Sequence, residues 1–258
     1  MKLSGNTILI AGGTSGIGFE LAAQLLQLDN VVIVTGRDQH KIEEAQRELP
    51  GVHAFQSDVT DPNAISVLCD AVLTKFPGLN MLFNNAGIMR KINLLENGTR
   101  GPDISREIEI NLIGAIRMVK QFLPHLLRQP AAAIVNVSSG LAFVPLPIAP
   151  IYCAAKAGLH SFTLSLRVQL RNTPVKVFEL APPMTQTPLF TKHMHAGDVK
   201  GVRMMGVGEM VRRTIRGLKN DQLEIRPGMS NVLKLMSRLA PNFILKRLST
   251  SVDTRCPG

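Results

Sequence analysis

Seven short apolar runs rich in β-branched residues punctuate this chain, and longer amphipathic stretches separate them. The runs are TILIAG from Thr7, VVIVTG from Val31, HAFQSD from His53, NMLFNN from Asn80, AIVNVSS from Ala133, VKVFEL from Val175 and a weaker QLEIRP from Gln222. Between them the apolar residues follow a helical period over Ile17–Leu28, Gln39–Leu49, Asn63–Lys75, Ile104–Leu127, Tyr152–Arg171 and Glu209–Leu218. Nearly continuous apolar strands alternating with helices require a parallel sheet covered on both faces. Right-handed crossovers then predict an α/β chain with one doubly wound parallel sheet of seven strands. No repeat, low-complexity tract or linker interrupts the pattern, so residues 1–258 read as one domain. Two stretches stand apart. Gln186–Gly208 has no clear period and reads as a mobile loop, while Gly228–Leu248 opens an apolar, basic C-terminal segment (228–258) in which Pro241 should break or kink any helix.

Composition narrows the setting. No apolar run reaches the roughly 18 residues of a membrane span, and MKLSGNTILIAGG meets glycines too soon for a signal peptide. Cys69, Cys153 and Cys256 are odd in number and share no metal-like spacing, as suits free thiols in a reducing, cytoplasmic compartment. The net charge is +10, and the stretch from Gln186 onward holds 13 Lys/Arg against 5 Asp/Glu. A solvated basic surface that attracts an anionic cofactor explains this most simply; an acidic partner or an anionic membrane surface would also suit it. Nucleic acid is not expected, because one Tyr and no Trp leave little to stack on bases.

The first strand-to-helix turn carries the first chemical signal. ILIAGGTSGIGFELAAQLL places Gly12, Gly16 and Gly18 between strand and helix. Gly12 permits the tight turn, Gly16 lets a pyrophosphate approach the backbone, and Gly18 allows close helix packing. The helix N-terminus offers free N–H groups to phosphate. A dinucleotide site follows. The second strand ends in Gly36 and Arg37, where NAD-binding proteins carry an acidic residue for the ribose 2′-hydroxyl. Glycine removes the carboxylate that would repel a 2′-phosphate, and Arg37 can pair with one, helped by the hydroxyls of Thr14 and Ser15. NADP(H) is therefore expected over NAD(H). Asp38 is the counter-signal, because its carboxylate turned inward would restore NAD(H).

GGTSGIG, SDVTD, NNAG, Asn111 in a long helix, IVNVSSG and YCAAK follow one another in one order. Ser139 lies 13 residues before Tyr152, the only tyrosine, and Lys156 lies four after it. This set resembles the short-chain dehydrogenase/reductase family over nearly the whole chain. The resemblance implies a Rossmann fold and an oxidoreductase that interconverts a carbonyl and an alcohol with a nicotinamide cofactor. It implies catalytic roles for Asn111, Ser139, Tyr152 and Lys156: Tyr152 as general acid or base, Ser139 as donor to the substrate oxygen, Asn111 holding a relay water. Lys156, together with the positive nicotinamide ring of the oxidised complex, would lower the Tyr152 pKa, about three units requiring roughly 4 kcal/mol, and would also bond the nicotinamide ribose. It implies cofactor contacts at Gly12, Thr14, Ser15, Gly16, Ile17, Gly18, Arg37, Asp58, Val59, Asn85, Ala86, Gly87, Tyr152, Lys156 and Thr187. Ser138 is the alternative donor to Ser139, but neighbours on a strand face opposite ways.

One departure affects the cofactor loop. The family shows Pro-Gly after the sixth strand, and this chain has Pro182-Pro183, which fixes φ and removes an N–H. The runs APPMTQT, EIRPGMS and SRLAP are similar to a bacterial subgroup, the oxidoreductases encoded beside D-alanyl-lipoteichoic acid genes.

Weaker signals have plainer readings. His193 and His195 lack companions for a metal site, and no metal is expected. Cys153 reads as packing, and Met194, Met204 and Met205 as lid or core. Arg128 and Arg171 suit helix C-termini, or the docking of an acidic carrier protein. The helices holding Asn111 and Tyr152 are the family's usual subunit contact, so a homodimer or homotetramer is expected. A non-catalytic NADP(H)-binding redox sensor, or a membrane-docking protein, is the competing class. The intact Asn–Ser–Tyr–Lys set argues against it, since a sensor needs only the cofactor loop.

Overall fold

In a computed structural model of the chain, residues 1–94, 104–191 and 204–249 are described. Seven strands form one sheet: β1 (Thr7–Ala11), β2 (Val31–Gly36), β3 (His53–Gln56), β4 (Leu79–Asn84), β5 (Ala132–Val137), β6 (Val175–Leu180) and β7 (Glu224–Ile225). Their order is β3-β2-β1-β4-β5-β6-β7, and every neighbouring pair is parallel. The doubly wound sheet expected from the alternation is the one observed.

Period-two alternation of side chains explains why the strands are apolar throughout. Leu9, Ala11, Ile33, Leu82 and Ile134 enter the core on one face. Ile8, Ile10, Val32, Val34, Phe83 and Val135 enter the core on the other. Each face is closed by helices. One core takes in side chains of α3 (Pro62–Lys75), α4 (106–126) and α5 (Pro150–Gln169); the other takes in α1 (Gly16–Leu26) and α7 (Val207–Lys219). The remaining helices are α2 (Gln39–Glu48), the short α6 (Pro188–Thr191), α8 (Met229–Leu239) and α9 (Pro241–Ser249). The break between α8 and α9 falls at Ala240–Pro241, where proline was expected to impose it.

Two local signals start helices where the sequence has them. Asp38 caps α2 by accepting from the Lys41 N–H, and Asp61 caps α3 with Pro62 at its first position. One element differs from expectation. The helix read as a single run from Ile104 to Leu127 is built of three parts, together α4: Arg106–Ile108, a π-helical turn Glu109–Ile113, and Gly114–Leu126. Asn111 sits in the π turn, the kind of irregularity that gathers at functional sites.

Registers align the strand ends that matter. Ala11 pairs with Thr35 on one side and Asn84 on the other, and Asn84 pairs with Asn136. The carboxyl ends of β1, β4 and β5 therefore finish level. Beyond them the chain order switches, which is where doubly wound sheets open a crevice.

Candidate active site

A cleft of about 870 Å³ lies at that edge. Gly12, Thr14, Ser15, Gly16, Ile17, Arg37, Asp58, Val59, Asn85, Ala86 and Gly87 line one part of it; Ser139, Tyr152, Lys156 and Thr187 line another. Gly18 and Asn111, also singled out in the sequence, stand behind the lining. A Cβ at Gly18 would press on the Gly12 carbonyl and lie 2.5 Å from Asn85 Nδ2, so this glycine packs α1 against the sheet. Asn85 Nδ2 in turn donates to that carbonyl at 2.8 Å.

The glycine turn is a cradle that fits a pyrophosphate. Gly12 (φ +71°) and Gly16 (φ +56°) hold left-handed conformations that favour glycine. A Cβ at Gly12 would stand 2.7 Å from Ala86 Cα. Ser15 is the N-cap of the eleven-residue α1, yet its hydroxyl makes no capping bond, so it does not cover the free first-turn N–H groups. Further out, Arg37 and Asp38 lie exposed on the cleft. The Asp38 carboxylate is engaged on the Lys41 N–H at 3.3 Å. Lys41 adds a second cation to the lining, one that sequence reading passed over. Asp58 accepts from the backbone N–H and the hydroxyl of Thr60, at 2.9 and 2.8 Å, which shapes its turn at the cleft.

The two serines at the end of β5 separate as strand geometry requires. Both contribute to the cleft lining, and the Ser139 Oγ accepts from the Leu141 N–H at 3.1 Å. Ser138 turns inward and donates to Glu179 Oε1. Glu179, on β6 and 1% exposed, also holds His160 Nδ1 at 2.7 Å. His160 Nε2 meets Lys234 Nζ of α8 at 3.1 Å. Burial would raise the Glu179 pKa, but hydrogen bonds from His160 and Ser138, with the charges of His160 and Lys234, hold it below the usual carboxylate value. This buried chain escaped sequence reading because its four members come from four elements with no shared spacing.

Lys156 and Tyr152 sit one turn apart on α5, both buried. Lys156 Nζ donates to the Val137 carbonyl at 2.8 Å and lies 5.8 Å from the Tyr152 ring centroid. Burial lowers the Lys156 pKa to about 8. Burial pushes Tyr152 up to about 12; a hydrogen bond with Ser139 pulls the other way, and Cys153 and Glu107 raise it further. In the protein alone desolvation is the largest influence on this phenol; the lowering expected of Lys156 belongs to the complex with the oxidised cofactor. Asn111 uses both ends of its amide on one peptide: Oδ1 accepts from the Ile88 N–H and Nδ2 donates to the Ile88 carbonyl, each at 2.8 Å. It clasps the exit of β4, with Gly87 close enough that a Cβ there would meet Asn111 Oδ1 at 2.9 Å.

Pro183 does not throw the loop after β6 off the cleft. All described peptide bonds are trans, the Pro182 carbonyl accepts from the Gly140 N–H at 2.9 Å, and Met184 and Gln186 pair with Met205. Thr187 then arrives opposite Gly16, whose Cβ position is 3.4 Å from Thr187 Cβ. Beside Tyr152 the cleft is apolar, with Met89, Leu146, Met184 and Phe190, and the C-terminal helices add Leu233, Ile244 and Leu248. Cys153 is packed under the Leu146 peptide, and burial raises its thiol to about 11. His193, His195, Met194 and Cys256 lie outside the described residues. No helix among the described residues is long and apolar enough to cross a membrane.

The fold, the glycine cradle and the Ser–Tyr–Lys cluster define an oxidoreductase of the short-chain dehydrogenase family, to which the chain belongs. The sequence model of that family, described as short chain dehydrogenase, matches residues 6–197. Within the family the chain is similar to an uncharacterized oxidoreductase, DltE, of Bacillus subtilis (strain 168), 46% identical over 253 residues that span 97% of this chain and 99% of that protein. Two solved structures share the fold. A short chain dehydrogenase/reductase from Burkholderia phymatum in complex with NAD superposes with a TM-score of 0.81 at 22% identity, covering 95% of this chain and 96% of that one. A short chain dehydrogenase from Burkholderia cenocepacia in complex with NADP gives 0.81 and 22%, covering 96% and 99%.

Proposed function

We propose that the protein is an NADP(H)-dependent reductase of apolar carbonyl compounds, with Tyr152 as the general acid. The observation that carries this reading is the convergence of Ser139, Tyr152 and Lys156 in one cleft with a glycine cradle flanked by Arg37 and Lys41. The residues present fit a nicotinamide dinucleotide: the cradle accepts its pyrophosphate, and Lys156 is within the same lining as the family's ribose contact requires. Arg37 and Lys41 favour the 2′-phosphate, and Asp38 engages its Oδ1 on the Lys41 N–H at the head of α2, which supports the same reading. Bound there, the nicotinamide would supply a hydride to the substrate carbon or accept one from it.

The side chains supply the rest. Ser139 donates to the carbonyl oxygen as negative charge grows there, and Tyr152 delivers the proton. A phenol with a pKa of about 12 is fully protonated at neutral pH, which suits the reductive direction. Oxidation would need that value brought down to near 7, about 7 kcal/mol of differential stabilisation. Lys156 supplies part of it, and a charged cofactor ring would supply more. Since Asn111 spends its amide on Ile88, a relay water between Lys156 and solvent would lean on the backbone of the π turn. The apolar wall beside Tyr152 supports a hydrophobic substrate.

A panel of aliphatic and aromatic aldehydes and ketones, followed at the nicotinamide absorbance with NADPH and NADH in parallel, tests this reading. Turnover of apolar carbonyls with NADPH supports it. Turnover with NADH alone would remove the cofactor assignment, and none with any carbonyl would remove the reaction.

A further inference from the structure

We infer that the C-terminal helical hairpin, α8 and α9, docks the protein on an anionic lipid surface. The hairpin leaves much of its apolar surface uncovered. Ser230 is the single buried residue of α8, and α9 buries none. Met229, Val232, Leu235 and Leu239 are 51, 45, 56 and 72% exposed, and their spacing of three, three and four places them on one helical face. Phe243 and Leu245 continue the apolar side chains onto α9 at 64 and 38% exposure. Toward the body α8 presents a small set of side chains: Ser230 and Leu233 abut Gly140, and Lys234 reaches His160 and lies 4.5 Å from the Phe143 ring centroid. These few contacts hold the helix while the apolar arc of Val232, Leu235 and Leu239 stays exposed, an arc that an ordinary surface helix buries.

Charge decides what covers that arc. From Arg226 to Ser249 there is no carboxylate, while Arg238, Lys246 and Arg247 are exposed. A second copy stacked hairpin to hairpin would bring cations together with no acid on the hairpin to offset them. An acidic protein surface would answer the cations and leave Leu239 and Phe243 against polar groups. A bilayer with anionic headgroups answers both, since apolar side chains enter the acyl boundary as Lys and Arg pair with phosphates. The same hairpin lines the cleft with Leu233, Ile244 and Leu248, so docking would set the mouth of the cleft beside the acyl region. The docking itself does not depend on which carbonyl the enzyme reduces.

Flotation of the full chain with vesicles of phosphatidylglycerol and phosphatidylcholine in equal parts, and of phosphatidylcholine alone, tests it. The wild type is expected to float with the anionic vesicles, and raised salt should weaken that binding. The Leu235→Glu/Leu239→Glu and Arg238→Glu/Lys246→Glu variants should each lose at least about tenfold in the bound-to-free ratio. Circular dichroism melts matching the wild type would show that both variants fold. Wild type that stays at the bottom with anionic vesicles, or a Leu235→Glu/Leu239→Glu variant that floats equally, overturns the proposal. Sedimentation velocity adds one arm: an oligomer broken by Leu235→Glu/Leu239→Glu without any flotation by the wild type would make the hairpin a contact between copies and overturn it too.

Discussion

Lys156 buries an ammonium with one hydrogen bond, to the Val137 carbonyl, and its pKa of about 8 lies below the ordinary 10.5. Between pH 8 and 10.5 the unfolded chain holds more protons at this site than the folded one, so wild-type stability should rise across that window. Lys156→Met removes the charge. The variant should be more stable than wild type at pH 7 by about 1–2 kcal/mol, less than the full shift because Val137 loses a donor, and the gain should vanish by pH 10.5. Thermal melts at pH 7 and 10.5 check this; a destabilised variant at pH 7 would contradict it. The same variant should be nearly inactive. At the other end of the cleft, Arg37→Glu should raise the KM for NADPH by about ten- to a hundredfold while the KM for NADH changes little, because the substitution places a carboxylate beside the 2′-phosphate. Steady-state titration of both cofactors reads this out, and an equal loss on both would show Arg37 to be no selectivity residue.

Strands and helices carry the second layer. The chain from Ser138 through Glu179 and His160 to Lys234 ties the end of β5, β6, α5 and α8 together at the back of the site. Glu179→Gln removes the charge that holds His160 and Lys234. It should destabilise the fold by about 1–3 kcal/mol, and hydrogen exchange should show α8 losing protection before the sheet does. Uniform loss across the molecule would deny the chain its part in fixing α8. Elements of this kind mark the limit of what sequence conveys. The apolar runs and helical periods were legible, since each buried face writes itself at period 2 or 3.6 into consecutive residues. The opposed facing of Ser138 and Ser139 was legible for the same reason. The π turn at Glu109–Ile113 was not, because one extra residue per turn leaves the apolar pattern almost unchanged. Nor were Glu179 and His160, whose meaning lies in a contact across 19 residues.

At the scale of the molecule, the glycine cradle and the Tyr152–Lys156 pair lie well over 100 residues apart in sequence, and the switch in strand order puts both on one cleft. Motif spacing carried that placement because each motif ends a strand or opens a helix in a sheet of fixed order. The apolar roof from α8 and α9 was not legible, since a helix facing outward and one facing inward can share the same composition. α5 also leaves Leu164 and Val168 exposed at 37 and 62% on its outer face. We propose that this face pairs with a second copy. Val168→Glu should then lower the mass seen by sedimentation velocity to that of a smaller assembly, and an unchanged mass would exclude the contact. The central claim is that this cleft reduces carbonyls with Tyr152 as proton donor. The most direct test compares single-turnover NADPH oxidation by wild type and Tyr152→Phe on the best carbonyl from the panel, with cofactor binding followed by fluorescence. The account predicts at least about a hundredfold slower turnover in Tyr152→Phe with NADPH affinity within about threefold of wild type; undiminished turnover would contradict it.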